Sequence, residues 1–283
     1  KVTVGDRVII SCISKCMECD YCKEGLTSHC QTLGGIGWIF GHLIDGTQAE
    51  YVRVPFADNG LIPLPDGVTA EQGTMLSDIL PTGFEIGVQY GAVKEGNVVA
   101  VVGSGPVGLA AIMTAASSGA AKIIAVDGNK FRLEAARDFG ATDTVEAGPE
   151  ALEQIRALGR GGAGVDVAIE AVGIPETFEL CVDVVRPGGH VANVGVHGRP
   201  ATLHLETAWS RDLTITTGLV DTFTSAELLR MMAARRLTMP GLITHRFGLD
   251  EFDEAYDVFA RPADTGALKV ALFGTEALDE LRA

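Results

Sequence analysis

Four of the six cysteines of the chain lie within fifteen residues, in the stretch KCMECDYCKEGLTSHC. They are Cys16, Cys19, Cys22 and Cys30, with two, two and seven residues between successive cysteines. Thiolates are preferred ligands of zinc, and a structural zinc takes four ligands in a tetrahedron. The short repeated spacing lets one tight loop bring three sulfurs to an ion, and residues 23–29 return the chain to deliver the fourth. The pattern predicts a closed zinc site that stabilises residues 14–31 without doing chemistry, because no position is left for water or substrate.

Crowded cysteines have three other interpretations: a disulfide framework, a redox-active CxxC pair and an iron–sulfur cluster. Disulfide frameworks are typical of small secreted chains, whereas this chain has 283 residues and no visible signal peptide. A redox pair needs only two thiols, and nothing in the sequence indicates electron transfer. Zinc is therefore favoured. The other two cysteines, Cys12 and Cys181, lie in apolar patterns and are interpreted as core residues.

A second motif, VVAVVGSGPVGLAAI, places three glycines between an apolar run and an apolar helical segment. This is the context in which a GxGxxG pattern indicates a dinucleotide site. Gly103 permits a tight turn, Gly105 lets the backbone approach a pyrophosphate, and Gly108 lets the helix pack on the strand. Pro106 and Val107 begin the helix, whose N-terminus faces the phosphates. We count all five residues among the cofactor contacts.

The next strand, AKIIAVD, ends at Asp127, nineteen residues after Gly108. A carboxylate at this place accepts hydrogen bonds from the adenine-ribose hydroxyls and repels a 2′-phosphate, which favours NAD over NADP. Arg132 is a candidate for the same ribose, or a solvated charge on the next helix. The alternative, a glycine-rich turn followed by an ordinary surface aspartate, is less consistent with the succession of strand, glycines, helix, strand and acid.

Apolar strands and helical segments continue to alternate beyond this motif. The strand-like runs are TDTVEA, VDVAIEAVG, GGHVANVGV and DLTITTGLV, separated by helical segments around EALEQIRAL and PETFELCVDVV. This alternation predicts an α/β fold with a doubly wound parallel sheet. Ligands of such sheets bind outside the carboxyl ends of the strands. Residues 170–173 and 194–196, which include Val172, Gly195 and Val196, are therefore candidate nicotinamide contacts.

Composition and charge exclude several classes of partner. The formal net charge is −15, which opposes binding to nucleic acid or to an anionic membrane. The most apolar run, residues 97–119, is interrupted by glycine and proline where a membrane helix would be continuous. The absence of a signal peptide favours a cytoplasmic location. The chain starts without methionine, in a turn that runs directly into a strand, and we expect a preceding segment.

These residues resemble the zinc-containing medium-chain alcohol dehydrogenases, most closely the bacterial secondary-alcohol type. The matching motifs cover nearly the whole chain: VGDRV, the four-cysteine lobe, DGTQAEYVRVP, LSDILPTGFE, GSGPVG and GALKVALF. The resemblance implies a barrel-like (GroES-like), mainly β catalytic domain into which a Rossmann domain is inserted. We place the catalytic domain at 1–83, the NAD-binding domain at 84–222, and a segment that returns to the catalytic domain at 223–283.

The resemblance also implies an activity, the NAD-dependent oxidation of a small alcohol to a ketone or aldehyde, with secondary alcohols as the favoured substrates. A second, catalytic zinc acts as Lewis acid in that family. Asp78 matches one ligand of this zinc, although from the bare sequence it could be a helix cap. Thr82 matches a residue beside the nicotinamide. Trp38 matches a residue of the substrate pocket and equally suits a core position, and Lys269 matches a basic residue near the pyrophosphate or is solvated.

The family pattern is incomplete in this chain. Residues 1–77 contain neither the early cysteine in its required context nor the GHE motif that supply the other catalytic ligands, and His42 is followed by leucine. We therefore expect the N-terminal part of the catalytic domain to be missing. The alternatives are an inactive NAD-binding protein with a structural zinc, and a zinc-free reductase of the same superfamily. The segment DLTITTGLV matches the edge strand through which family members pair, which implies a homodimer or homotetramer.

Overall fold

The computed structural model describes residues 2–274 of the chain. The chain divides into two compact units. The first consists of Lys1–Asp78 and Asp221–Ala283, and the second of Ile79–Val220. The sequence placed domain boundaries near residues 84 and 222. These boundaries remain a prediction, because compact units are not the same as separately folding domains. Residues 275–283, at the end of the predicted C-terminal segment, lie outside the described residues.

The elements of the described residues are numbered in chain order. The strands are β1 (Val8–Ile10), β2 (Leu61–Pro63), β3 (Val98–Val102), β4 (Lys122–Asp127), β5 (Asp143–Glu146), β6 (Val165–Glu170), β7 (Val185–Asn193), β8 (Thr214–Thr217), β9 (Ile243–Gly248) and β10 (Lys269–Phe273). The α-helices are α1 (Asp20–Lys23), α2 (Ala57–Gly60), α3 (Ala70–Met75), α4 (Ile79–Thr82), α5 (Pro106–Ser117), α6 (Lys130–Asp138), α7 (Ala151–Leu158), α8 (Pro175–Val184), α9 (Leu205–Ala208), α10 (Ser225–Ala233), α11 (Phe252–Ala260) and α12 (Pro262–Thr265). A π-helix spans Gly83–Gln89, and 3₁₀ turns span Thr27–His29, Gln31–Leu33, Arg160–Gly162 and Leu249–Glu251.

A six-stranded parallel sheet forms the centre of the second unit. Its strand order is β5-β4-β3-β6-β7-β8, and every pair of neighbours is parallel. The order reverses between β3 and β6, so the sheet is doubly wound and the predicted α/β class is confirmed. Ligands of such sheets bind at the carboxyl edge beside the reversal point. The loops that follow β3, β4, β6 and β7 are therefore the expected ligand site.

The first helix of the second unit's sheet is held unusually close to its neighbours. Residues 108–115 of α5 are all buried, as expected for a helix that is apolar on every side. Pro106 occupies its first turn, where a missing N–H costs nothing. The π-helix meets α5 at Gly83, where a Cβ atom would lie 2.7 Å from the backbone nitrogen of Ala111. The π-helix and the middle of α5 therefore pack together with no room for a side chain at Gly83.

The first unit contains two small sheets. Strand β1 pairs with β2 in antiparallel orientation, and β9 pairs with β10 in parallel orientation. The side chains of Thr69 and Gln72 form a capping box that starts α3. Cys12 follows β1 and is half-buried, so its interpretation as a core residue is only partly right, whereas Cys181 in the second unit is completely buried. Within residues 2–274, no helix has the length and apolar character needed to cross a membrane.

Candidate functional site

The four clustered cysteines come together as a metal-binding group. Their sulfur atoms all lie within 4.8 Å of one another, and the Sγ atoms of Cys16 and Cys22 are 3.9 Å apart. Four sulfurs around a zinc at the usual bond length would be about 3.8 Å apart. All four are free thiols. The donor set and its spacing therefore fit zinc.

Polar groups around Cys16 favour its thiolate form. Met17 adopts a left-handed conformation with φ of 61°, and the turn aims the backbone N–H groups of Glu18 and Cys19 at the Cys16 sulfur, at 3.4 and 3.3 Å. The hydroxyl of Thr32 donates to the same sulfur at 3.1 Å. These bonds, the one from Thr32 above all, lower the pKa of Cys16 to about 6. A thiol that ionises this readily is suited to binding a metal.

The base of the cysteine lobe rests on the returning chain of the same unit. The ammonium of the buried Lys15 donates to the carbonyl oxygen of Asp221 and to the hydroxyl of Thr222, at 3.1 Å each. The Asp221 carboxylate accepts from the backbone N–H of Ser28 at 2.6 Å, and the hydroxyl of Thr27 donates to the Asp221 carbonyl at 2.7 Å. Sequence reasoning missed this network, because its partners lie about two hundred positions apart.

The three loops at the carboxyl edge of the large sheet touch one another at glycines. Gly103 has a φ of 100°, and a Cβ there would lie 2.9 Å from the carbonyl oxygen of Ala171. At Gly108 a Cβ would be 1.8 Å from the Gly103 carbonyl oxygen, so helix and turn meet with no room for a side chain. At Gly173, in the loop after β6, it would be 2.4 Å from the carbonyl oxygen of Val196. The loops after β3, β6 and β7 therefore pack against one another through their backbone.

Asp127 ends β4 at the same edge, and its carboxylate is held by backbone. One oxygen accepts from the N–H of Ser104 at 2.7 Å, and the other accepts from the N–H of Asn129 at 2.8 Å. The side chain of Asn129 in turn caps α6. A carboxylate has about four acceptor positions, so two remain for ligand hydroxyls. The geometry holds a negative charge at a fixed place beside the glycine turn.

An open cavity of about 360 Å³ lies over this turn. Its lining includes the predicted residues Gly103, Gly105, Asp127, Arg132 and Val172. The guanidinium of Arg132 passes over Gly105, where a Cβ would be 3.8 Å from the Arg132 Nη1 atom. Two buried polar atoms here, Nε of Arg132 and Oγ of Ser104, have no hydrogen-bond partner among the described residues. Bare glycine backbone and unsatisfied polar atoms fit a dinucleotide.

The candidate nicotinamide contacts flank this row of glycines. Val172 is 47% exposed and Val196 is 91% exposed, while Gly195 is half-buried. Glu170, which begins the first of the two loops, is completely buried with one carboxylate oxygen that receives no hydrogen bond. The sequence predicted Glu170 as a nicotinamide contact from its place at the end of a strand, but the side chain is completely buried. No local signal predicted a partner for it.

The remaining predicted residues lie in different places. Asp78 is exposed at the end of the first unit. Burial, as the main cause, lowers the pKa of Lys269, and the nearby Asp78 charge opposes that shift, so these two residues are neighbours. Thr82 is half-buried in α4 of the second unit. Trp38 is 48% exposed and contacts His42 edge-on, with ring centroids 5.0 Å apart, so its alternative reading as a core residue is wrong.

Two family models match the chain. "Alcohol dehydrogenase GroES-like domain" matches residues 1–66, and "Zinc-binding dehydrogenase" matches residues 106–234. The apo form of zinc-dependent alcohol dehydrogenase 2 from Streptococcus pneumonia superposes with a TM-score of 0.90 and 46% sequence identity, over 96% of this chain and 76% of that one.

Curated proteins agree with the family models. An alcohol dehydrogenase from Cupriavidus necator is 41% identical over 241 residues, which cover 83% of this chain. The match spans only 65% of that protein's length. The NADP-dependent isopropanol dehydrogenase of Clostridium beijerinckii is 34% identical over 89% of this chain and 73% of its own length. The chain therefore belongs to the zinc-type medium-chain alcohol dehydrogenase family.

Proposed function

We propose that the whole protein oxidises a small secondary alcohol to its ketone, with NAD as the cofactor. The observation that carries this proposal is the crevice at the carboxyl edge of the sheet, where the fixed carboxylate of Asp127 stands beside the bare backbone of Gly103 and Gly105. NAD supplies a ring that accepts hydride, and zinc supplies a Lewis acid for the alcohol oxygen.

The chain's own residues have separable roles in this proposal. The glycine turn and the N-terminus of α5 receive the pyrophosphate, because N–H groups at a helix N-terminus attract anions. Asp127 accepts from the ribose hydroxyls and repels a 2′-phosphate. Residues Val172, Gly195 and Val196 receive the nicotinamide. Thr82 lies beside the ring, Trp38 contributes to the alcohol pocket, and Lys269 approaches the pyrophosphate.

The two proposed zinc sites differ in how far the described residues supply them. Cys16, Cys19, Cys22 and Cys30 offer four thiolates to a structural zinc. Within residues 2–274, they are the only group of three or more His, Cys, Asp or Glu side chains close enough to hold a metal. We assign Asp78 as one ligand of a catalytic zinc, which needs about three protein ligands and an open position. The described residues do not hold that zinc by themselves.

This difference favours a second candidate for the 283-residue chain on its own, namely an NAD-binding protein with a structural zinc and no turnover. A zinc-free reductase is disfavoured, because it gives the cysteine quartet no role.

Titration of NADH and NADPH into the chain, followed by nicotinamide fluorescence, tests the cofactor assignment. We expect the tighter binding for NADH, and equal affinity for the two would refute it. Oxidation of isopropanol and of propan-1-ol by the full-length protein, followed by the absorbance of reduced nicotinamide, tests the substrate. A faster reaction with propan-1-ol would contradict the preference for secondary alcohols.

A further inference from the structure

The carboxylate of Glu170 lies at the carboxyl end of β6 with none of its surface exposed. Its Oε1 atom accepts from the backbone N–H groups of Val172 and Gly173, both at 2.9 Å, and from the hydroxyl of Thr177 at 2.7 Å. Three donors on one oxygen stabilise a buried negative charge. The loop after β6 is therefore folded around this oxygen.

The second oxygen of Glu170 faces the next loop along the sheet. Nε2 of His197 lies 3.5 Å from Oε2, and the same nitrogen lies 2.9 Å from Oδ1 of Asn193. The amide nitrogen of Asn193 donates to the Gly195 carbonyl oxygen at 3.0 Å, which orients the Asn193 amide oxygen toward His197. Since that oxygen can only accept, Nε2 of His197 carries a proton. The N–H thus donates to the amide oxygen of Asn193, and the same nitrogen lies within ion-pair distance of the buried carboxylate oxygen, which receives no hydrogen bond among the described residues.

The two loops meet at this carboxylate with no room for another side chain. A Cβ on Gly195 would lie 2.3 Å from Oε2 of Glu170 and 2.3 Å from the backbone nitrogen of Gly173. The opposite side of each loop is open, because Val172 and Val196 are both exposed. Each loop therefore has one side packed on Glu170 and the other side free for a ligand.

The helix packed behind the pair adds no positive charge to it. Phe178 of α8 contacts the His197 ring edge-on, with centroids 6.1 Å apart. Cys181 of the same helix is buried, and burial followed by the charge of Glu170 raises its pKa well above the usual value. The exposed Glu176 of α8 pairs with Arg199 at 3.2 Å.

We propose that Glu170 and His197 are positioning residues that clamp the loops 171–173 and 194–197 in the conformation that receives the nicotinamide half of the cofactor. The inference rests on the proposed function, which places the nicotinamide at these loops. Neither side chain needs to touch the cofactor, because each acts through the backbone that it holds.

Two ligands separate this role from a general structural one. NADH uses both halves of the site, whereas ADP-ribose lacks the nicotinamide and uses only the glycine turn and Asp127. Glu170→Gln keeps the size of the side chain but directs either an amide N–H or a neutral oxygen at His197. His197→Leu removes the donor, and His197→Gln restores one. His204→Leu is the matched control, because His204 is an exposed histidine bonded to Glu206.

We expect Glu170→Gln and His197→Leu each to raise the Kd for NADH about tenfold. The first removes the charge that accepts the hydrogen bonds of the loop after β6, and the second removes the hydrogen bond to Asn193 together with the 3.5 Å contact to Glu170. The Kd for ADP-ribose should stay within about twofold of wild type, as expected of a site the clamp does not reach. His197→Gln should recover most of the NADH affinity, and His204→Leu should bind both ligands as wild type does.

Amide hydrogen exchange of the cofactor-free protein gives a readout that needs no ligand. The amides of residues 172, 173 and 194–197 should exchange faster in Glu170→Gln and His197→Leu than in wild type, and those of 103–105 should not. Unchanged exchange in these loops, or equal weakening of NADH and ADP-ribose, would overturn the clamp. If wild type binds neither ligand, the proposed function fails and the clamp's role in cofactor binding fails with it. If Glu170→Gln does not fold, the His197→Leu and His197→Gln variants test the positioning role by themselves.

Discussion

Asp127 is the residue that we propose to determine the preference for NAD over NADP, through its single carboxylate. We expect Asp127→Asn to lower the affinity for NADH about tenfold, because it removes a charged acceptor for the ribose hydroxyls. The difference in affinity between NADH and NADPH should also become smaller, because the repulsion of the 2′-phosphate is lost. Fluorescence titration of both cofactors into variant and wild type measures the change. Asp138→Asn, an exposed carboxylate at the end of α6, is the matched control. A variant that keeps the full preference for NADH would show that other residues choose the cofactor.

Thr32 donates one hydrogen bond to the sulfur of Cys16, which we propose as a zinc ligand. We expect Thr32→Val to weaken zinc binding about tenfold, since partners of a metal's ligands contribute on that scale. Thr32→Ser keeps the hydroxyl and should bind zinc normally, whereas Cys16→Ser removes a ligand and should lose far more. Competition with a chromophoric chelator measures each affinity.

The cysteine variants should leave NADH affinity unchanged, because the predicted contacts at the glycine turn belong to the other compact unit. Disulfides among the four sulfurs in the reduced native protein would contradict the zinc assignment.

The predicted site residues that the structure brings close together are those whose signal in the sequence is local. The cysteine quartet spans fifteen residues. Gly103, Gly105 and Gly108 lie between a strand and a helix in the sequence, and this context identifies the glycine pattern as a dinucleotide motif. The approach of His197 to Glu170 and the bond from Ser28 to Asp221 depend on the tertiary fold, and neither partner carries a local pattern. Only the folded chain brings these partners together.

At the scale of elements, strands β3 to β8 follow from short apolar runs between helices, since strands buried on both faces need apolar residues throughout. The π-helix Gly83–Gln89 was not expected. Its glycines suit close packing on α5, but hydrophobic periodicity does not distinguish a π-helix from an α-helix over two turns. Asp78 directly precedes α4, and α4 continues into the π-helix. A rare helix geometry therefore begins five residues after a proposed metal ligand.

Strand β8 is the edge of the large sheet, and we expect two copies of the chain to pair along it. Thr214 and Thr217 are exposed on this strand. Replacing both by lysine should convert the dimer to a monomer in light scattering, because lysines on an edge oppose strand pairing. The control, Gln154→Lys with Ala157→Lys, adds the same charge to an exposed face of α7. A wild-type monomer at micromolar concentration would refute the prediction.

At the scale of the molecule, the 283-residue chain should bind one zinc per subunit and show little or no alcohol oxidation. The reason is that Asp78 is not part of any group of three potential ligands among the described residues. Elemental analysis of purified protein measures the zinc, and cofactor reduction measures the activity. In a full-length protein with two zincs, Asp78→Ala should abolish turnover.

A second zinc with full turnover in the 283-residue chain would show that other side chains complete the site. His42, which contacts Trp38, is the first to replace in that event. The assignment of ligands by family resemblance would then be wrong, while the cofactor site would be unaffected.

The first unit is discontinuous in sequence: Lys1–Asp78 precede the second unit in the chain, and Asp221–Ala283 follow it. On the ribosome, Asp221 is made about two hundred residues after Lys15 and Ser28, a delay of roughly ten to forty seconds. During that interval the Lys15 ammonium and the Ser28 backbone N–H lack the Asp221 groups to which they bond in the folded unit. The four cysteines and Thr32 all lie within residues 16–32, so a zinc ion captured early can hold the nascent lobe in shape until the returning chain arrives. The metal would then protect the incomplete first unit from aggregation during synthesis. This role differs from stabilising the folded protein.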